Sequence, residues 1–302
     1  MMRRTEVDWQ REEGLTLVEL LIAIALSLIL LAVLTTTFVT NSQTRNEMER
    51  TSRQIENGRY AMQSMIDDLT NAGFWGGAVA GFAAEPEFCA VSSIKTSLLT
   101  PALWVLTKTQ ATALSPNTCI VNMKDGTNAV VIRRFSTSTT PTATAKTCGS
   151  DPLPSGANCF EVDDTSTPVV VNNGVAGVKK IISGEFAAVR VPVTHIYYVN
   201  TSNTLVRATL AWSGGNSTFT QEAVADGIEL LAASVTPDIT TESPIVPKKR
   251  RVTLEILARN TEGSPGYVDA KTYTVGGVTV GPLNDNIRRQ YYSSNVNVEN
   301  DT

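Results

Sequence analysis

From Leu15 to Val39 the chain carries one charged residue, Glu19, and the stretch from Leu20 to Leu34 is apolar apart from Ser27. At ~1.5 Å per residue a helix over those positions covers roughly 37 Å, enough to cross a bilayer. Gly14 stands directly before this run. A secretory signal peptide places a small-residue cleavage site after its apolar core, not a glycine before it. A plain membrane anchor has no use for an acid near its start, because a carboxylate in hydrocarbon costs about 3 kcal/mol or more. The run therefore calls for a membrane-crossing helix with a special junction at its head.

The helical pattern continues beyond Val39, although the composition turns polar. Met48, Ile55, Met62 and Leu69 recur every seven residues, and Met65 and Ile66 widen the stripe. Arg45, Glu49, Arg50, Arg53, Glu56 and Arg59 lie off it. No proline occurs before Pro86, so nothing obligatory breaks the helix where it leaves the bilayer. Asn71-Ala72-Gly73 supplies the carboxyl-terminal cap. One helix from Leu15 to Asn71 would be about 85 Å long, with half of it lacking a core of its own. That suits a filament subunit better than a globular protein.

Charged residues make up 18% of the 302-residue chain and the net charge is −4, which argues against nucleic acid as a main partner. The four cysteines, Cys89, Cys119, Cys148 and Cys159, form no Cys-x-x-Cys pair, and His195 is the sole histidine, so a zinc site is not expected. An even count downstream of an export signal predicts two disulfides in an oxidising compartment. Three connectivities exist; Cys89–Cys119 with Cys148–Cys159 closes the shorter loops.

The sequence Glu12-Glu13-Gly14-Leu15-Thr16-Leu17-Val18-Glu19 resembles the class III signal of type IV pilins and type II secretion pseudopilins. The resemblance implies that a prepilin peptidase cuts after Gly14 and methylates the new amino terminus, Leu15. The family usually has phenylalanine there, and this leader mixes Arg3, Arg4 and Arg11 with Glu6, Asp8, Glu12 and Glu13. Glu19 would be the fifth residue of the mature chain. Either it is an interfacial acid reaching the headgroups, or, as the family implies, it meets the amino terminus of a neighbouring subunit during assembly. The physics allows the second reading, since a buried acid becomes tolerable once paired.

Past residue 73 threonine, serine, valine, glycine and asparagine become frequent. Runs predicted as strands are Ala129–Phe135, Val169–Val171, Phe186–Val199, Thr204–Trp212, Val252–Ala258 and Arg288–Val298. Lys124-Asp125-Gly126-Thr127 reads as a turn and Asn200-Thr201-Ser202-Asn203 as a hairpin loop. Ser136 to Lys146 and Ile239 to Lys249 read as loops. The fold class is α+β and pilin-like: a long amino-terminal helix, transmembrane in its first half, with an antiparallel sheet packed on its second half. The expected division is a leader over 1–14, a transmembrane or filament-core helix over 15–39, its amphipathic continuation over 40–73, and a periplasmic β-rich domain over 74–302.

Three segments are similar to the PilW family of minor pilins. They are Gly14 to Leu34; Gln54-Ile55-Glu56-Asn57-Gly58-Arg59-Tyr60-Ala61 with the exit Asp68-Leu69 to Ala72-Gly73-Phe74-Trp75-Gly76; and Val224-Ala225-Asp226-Gly227-Ile228-Glu229 with Arg288-Arg289-Gln290-Tyr291-Tyr292. The resemblance implies an inner-membrane subunit that joins other minor pilins and the major pilin, primes assembly through the inner-membrane machinery and sits at the fibre tip. It also implies roles in adhesion, twitching motility and DNA uptake. Gly58 either allows close packing of another element or contacts a partner, at a helix cost of about 1 kcal/mol against alanine.

Catalytic signatures are sparse. His195 lies on an alternating strand and reads as a structural histidine rather than a base. Gly174 to Lys180 lacks phosphate-loop spacing, and Asp163-Asp164 lacks the calcium-loop pattern. Lys248-Lys249-Arg250-Arg251 is a dense basic run, read as a solvated loop leading into a strand; it is where DNA or anionic lipid would be met, and nothing else supports DNA. The expected function is non-enzymatic and cofactor-free. A J-like type II secretion pseudopilin and a membrane-tethered periplasmic binding module are the rival readings.

Overall fold

The computed structural model describes residues 16–75, 102–113, 119–137, 159–162, 169–171, 188–190, 192–213, 216–236 and 250–298. The chain divides into two units, Met1–Glu49 and Arg50–Thr302. One helix, α1 (Leu17–Thr70), contributes to both.

Among the described residues of the first unit α1 is the one element, and every residue from 16 to 46 is exposed. This stretch of α1 is long and apolar enough to cross a membrane, with a mean hydropathy of 3.0 in its richest window. Its polar side chains turn inward on their own backbone. The hydroxyls of Ser27, Thr35, Thr36, Thr37, Thr40 and Thr44 each donate to a carbonyl three or four residues earlier, at 2.7–2.9 Å. Satisfied in this way, they add little to the cost of an apolar surrounding.

The second unit is built from the rest of α1 and thirteen strands among the described residues. A five-stranded antiparallel sheet has the order β1 (Leu103–Thr107), β2 (Asn128–Phe135), β6 (Pro192–Val199), β7 (Thr204–Ser213), β8 (Asn216–Asp226). A three-stranded antiparallel sheet has the order β13 (Arg289–Val298), β10 (Arg250–Arg259), β9 (Ile228–Thr236). Two small sheets complete it, β11 (Tyr273–Val275) with β12 (Val278–Val280), and β3 (Cys159–Val162) between β4 (Val169–Val171) and β5 (Ala188–Arg190). A single-turn helix, α2 (Lys108–Ala113), follows β1 and opens on a capping box, in which Thr107 and Gln110 each accept from the other's backbone N–H.

Strand alternation sorts the core into layers. Val130, Ile132, Tyr197 and Val199 face α1, whereas Ala129, Val131, Ile196 and Tyr198 face a second cluster with Leu106, Ala111, Ile120 and Met123. The first cluster also takes Val252, Leu254, Ile256, Val296 and Val298 from the smaller sheet, so both large sheets close on the same helix face. Met65 and Leu69 are fully buried there, each contributing about 2 kcal/mol. A polar contact of the seam is worth about 1 kcal/mol net, so apolar burial is what holds the helix down.

The two large sheets share a corner at Gly227. Its φ is +73°, and a Cβ at this position would lie 2.5 Å from the carbonyl oxygen of Arg259. Arg259 N–H donates to Gly227 O at 2.7 Å, which locks the bend between β8 and β9. The helix exit behaves as the Asn-Ala-Gly cap predicts. Gly73 takes φ +73°, its N–H donates to Arg133 O at 3.0 Å, and Trp75 packs edge-on against Phe135 at 5.4 Å.

The buried seam of α1 departs from the heptad reading. Met62 and Leu69 are buried, but Met48 is 68% and Ile55 37% exposed. The residues at the centre of the seam are Gln54, Gly58, Ala61, Met65 and Asp68. Two of these are polar, so a search for apolar periodicity is drawn one residue aside. The basic run is corrected too. Arg250 is a buried member of β10 and Arg251 an exposed one, while Lys248 and Lys249 lie outside the described residues.

Candidate functional site

At the head of α1 the Thr16 N–H and hydroxyl both donate to Glu19 Oε2 at 3.0 Å, and the Glu19 N–H donates to Thr16 Oγ1 at 3.3 Å. This is a capping box, in which two otherwise orphaned backbone donors are satisfied reciprocally. The pattern Thr16-x-x-Glu19 announces it in the sequence, and neither outward-looking reading of Glu19 used that signal. In the single chain Glu19 therefore holds the start of its own helix, fully exposed among apolar neighbours such as Leu17 and Leu20. Gly14 and Leu15, the predicted processing junction, lie outside the described residues.

In the second unit, the segments singled out on α1 and at the carboxyl-terminal end meet. Gln54 on α1 donates its Nε2 to the carbonyls of Ala258 at 3.0 Å and Arg288 at 3.1 Å, and Asn57 donates to Asp226 O at 3.1 Å. Arg50 donates to Gly263 O at 2.9 Å and pairs with Glu262 at 2.8 Å. Gly58 faces the Tyr292 ring: a Cβ there would lie 2.6 Å from Tyr292 Cε2. The close-packing account of Gly58 thus has its element, strand β13.

Behind this contact Arg289 forms the centre of a buried ionic knot. Its Nε donates to Glu229 at 2.6 Å, its Nη1 to Asp269 at 2.9 Å, and both Nη1 and Nη2 to Asp285 at 2.7 Å. The Arg289 side chain is 1% exposed and Asp269 fully buried. Tyr267 and Tyr273 donate their hydroxyls to Asp269 at 3.0 and 3.1 Å. The bidentate bond from Arg289 holds the Asp285 carboxyl down at about 2. Burial lowers the neighbouring Lys124 ammonium, which donates to Asn203 Oδ1 at 2.6 Å and to Glu229 O at 2.9 Å. The sequence offered Arg289 and Glu229 as motif members; Asp269 and Asp285 sit in an irregular loop and carried no periodic signal.

The sole histidine is structural in its contacts. His195 Nδ1 donates to Asp68 Oδ2 at 2.6 Å, and Tyr197 donates to the same oxygen at 2.5 Å, with Arg134 at 3.7 Å from Oδ1. Burial raises the Asp68 carboxyl, but the His195, Tyr197 and Arg134 contacts outweigh it and leave the group lowered. Burial, then the Asp68 carboxylate, push the Tyr197 phenol up to about 12. This cluster ties the last turn of α1 to β6. Among the described residues no group of three or more His, Cys, Asp and Glu side chains is arranged to hold a metal ion.

Cys119 is fully buried in the cluster beyond the five-stranded sheet and is disulfide-bonded. Cys89 and Cys148 lie outside the described residues, as does the side chain of Cys159, so the expected pairing of the four is not brought together here.

Among known families, the prokaryotic N-terminal methylation motif matches residues 9–35. Its span takes in the predicted junction at Gly14, the capping box and most of the apolar run. The match supports a protein of the type IV pilin or pseudopilin kind, anchored in the membrane by α1. No curated protein and no solved structure matches the chain.

Proposed function

We propose that this chain is a minor pilin of the type IV pilus, PilW-like and non-enzymatic, acting by assembly. The observation that carries the reading is the methylation motif over residues 9–35, seated on a helix whose exposed first half suits a bilayer or a filament core. In this account prepilin peptidase cleaves after Gly14 and methylates Leu15. The subunit waits in the inner membrane with its β-rich unit in the periplasm, and the assembly machinery then passes it into the pilus. Other minor pilins and the major pilin are its partners, and priming at the fibre tip is its role. The cysteines pair as Cys89–Cys119 and Cys148–Cys159 in the oxidising periplasm.

Glu19 would change partner on assembly. Its carboxylate caps its own helix in the single chain, and in the fibre it meets the amino terminus of a neighbour. Support for the minor-pilin reading comes from the packing of Gln54–Ala61 against Arg288–Tyr292, two segments similar to that family, as one connected seam. Deleting the gene and scoring surface pili against secreted exoproteins tests the reading. Loss of pili with normal secretion is expected, and loss of secretion with normal pili would favour a pseudopilin instead.

A further inference from the structure

Among the described residues the Lys124 ammonium faces two carbonyls rather than a carboxylate. Nζ donates to the side-chain Oδ1 of Asn203 at 2.6 Å and to Glu229 O at 2.9 Å. The backbone fixes both ends of the first contact. Lys124 N–H donates to Val199 O at 2.9 Å, and Thr127 Oγ1 donates to Lys124 O at 2.9 Å. Asn203 turns at φ +59°, donates its N–H to Asn200 O at 3.0 Å and accepts from Ile228 N–H at 2.8 Å. With a carbonyl bond of about 1.23 Å, Nζ lies no farther than about 3.8 Å from Asn203 Cγ. A small turn of the carboxamide about χ2 shows the face of Cγ to Nζ, near the separation of about 3–3.5 Å at which held groups react.

An ammonium has no lone pair to attack with, so such a site must favour the neutral amine. Burial lowers Lys124, and the charges of Arg259 and Arg289 lower it further, against the opposing charge of Glu229. Desolvation beside other cations is the setting in which a lysine becomes a nucleophile. The Glu229 carboxylate acts on Lys124 across the same space and is the acid–base group at hand. Asn203 Nδ2 makes no hydrogen bond among the described residues, so its departure breaks no contact.

We propose that Lys124 and Asn203 join through their side chains as an intramolecular amide. The Nζ–Cγ bond forms and the Cγ–Nδ2 bond breaks. The lysine nitrogen gives up a proton, Nδ2 gains one, and ammonia leaves. In net terms an ammonium and a carboxamide become a secondary amide and a free ammonium ion, so no oxidant or co-reactant is needed. A carboxamide is a poor electrophile, but the reaction runs once per chain, and the fixed placement of both groups supplies what an enzyme gives its substrate. The bond would tie the turn that leads into β2 to the β6–β7 hairpin, 79 residues away in sequence, beside the start of β9. It would be a crosslink that reduction does not open. The assembly reading plays no part in it.

Mass spectrometry of the full chain from its native cells, reduced and denatured, tests this. The chain should be one ammonia lighter than its sequence once the processing of its amino terminus is accounted for. Trypsin should leave Lys124 uncut and release a branched peptide that joins residues 109–133 to residues 191–207. Lys124→Arg keeps the cation without the nucleophile, so this variant and Asn203→Ala should both carry their full sequence mass. A wild-type chain at full sequence mass, cut by trypsin at Lys124, would overturn the proposal. So would a deficit that persists in Lys124→Arg, or one that maps to Asn57-Gly58 or Asn173-Gly174, where an asparagine closes on the next backbone nitrogen. The wild-type mass and its branched peptide decide the matter by themselves, so a variant that fails to fold leaves the test intact.

Discussion

Replacing Arg289 by methionine removes the one cation that three carboxylates share. Asp285 is 37% exposed and regains water, so its loss of a partner costs little. Glu229, at 12%, and Asp269, at 0%, are left as buried acids. Breaking a buried pair on one side typically costs about 3–5 kcal/mol. Asp269 keeps the Tyr267 and Tyr273 hydroxyls, which places Arg289→Met at about 3 kcal/mol, the lower end of that range. With a urea slope of about 2 kcal/mol per molar, the midpoint should fall by about 1.5 M. The pH dependence carries the sharper test. In the wild type Arg289 holds Asp285 at about 2, and that contribution is present above the unfolded value of about 4 and lost as pH falls towards 2, so the deficit of the variant should narrow across that window. Urea titrations of both proteins at pH 7 and 3 check this. A loss below about 1 kcal/mol, or one that is the same at both pH values, would refute the knot as a stabilising element.

Gly58→Ala gains about 1 kcal/mol of helix propensity and loses more through overpacking against Tyr292, so its thermal midpoint should fall; a rise would show that the ring swings aside freely. Asp68→Asn should cost about 1–3 kcal/mol at pH 7, and that cost should shrink as pH falls from the unfolded carboxyl value of about 4 down through the lowered folded one. In the same variant the Tyr197 phenol should titrate lower, readable by ultraviolet absorbance, and an unmoved phenol would deny the carboxylate its part. Glu19→Gln preserves the capping box while removing the charge, whereas Glu19→Ala removes both. Both should be cleaved and inserted, and both should enter pili poorly; normal incorporation of the Gln variant would leave capping as the residue's whole role.

The helix was legible because apolar residues without proline leave few alternatives, and its exit because glycine takes a positive φ there. Its seam was misphased because Gln54 and Asp68, held by strand carbonyls and by His195, occupy places that a hydrophobic stripe should fill. Strands β2, β6, β7, β10 and β13 showed in β-branched and aromatic content. β8, polar along its exposed edge, did not, and β9 was hidden by the preceding Asp226-Gly227, which reads as a turn and serves as a corner. Glu19 was visible as an anomaly, but its pairing with Thr16 was masked because a lone charge inside an apolar run reads as a membrane feature before it reads as a cap. The knot around Arg289 could not be read, since Asp269 and Asp285 approach it from a loop whose path no periodicity records.

The central claim is that the chain is processed and assembled as a pilin, and the mass of its mature amino terminus tests this most directly. Intact-mass and fragment spectra of the protein from its native cells should show residues 1–14 removed and an N-methylated Leu15. A chain that keeps Met1 and carries an unmethylated Leu15 would contradict the account and leave a membrane-tethered module in its place.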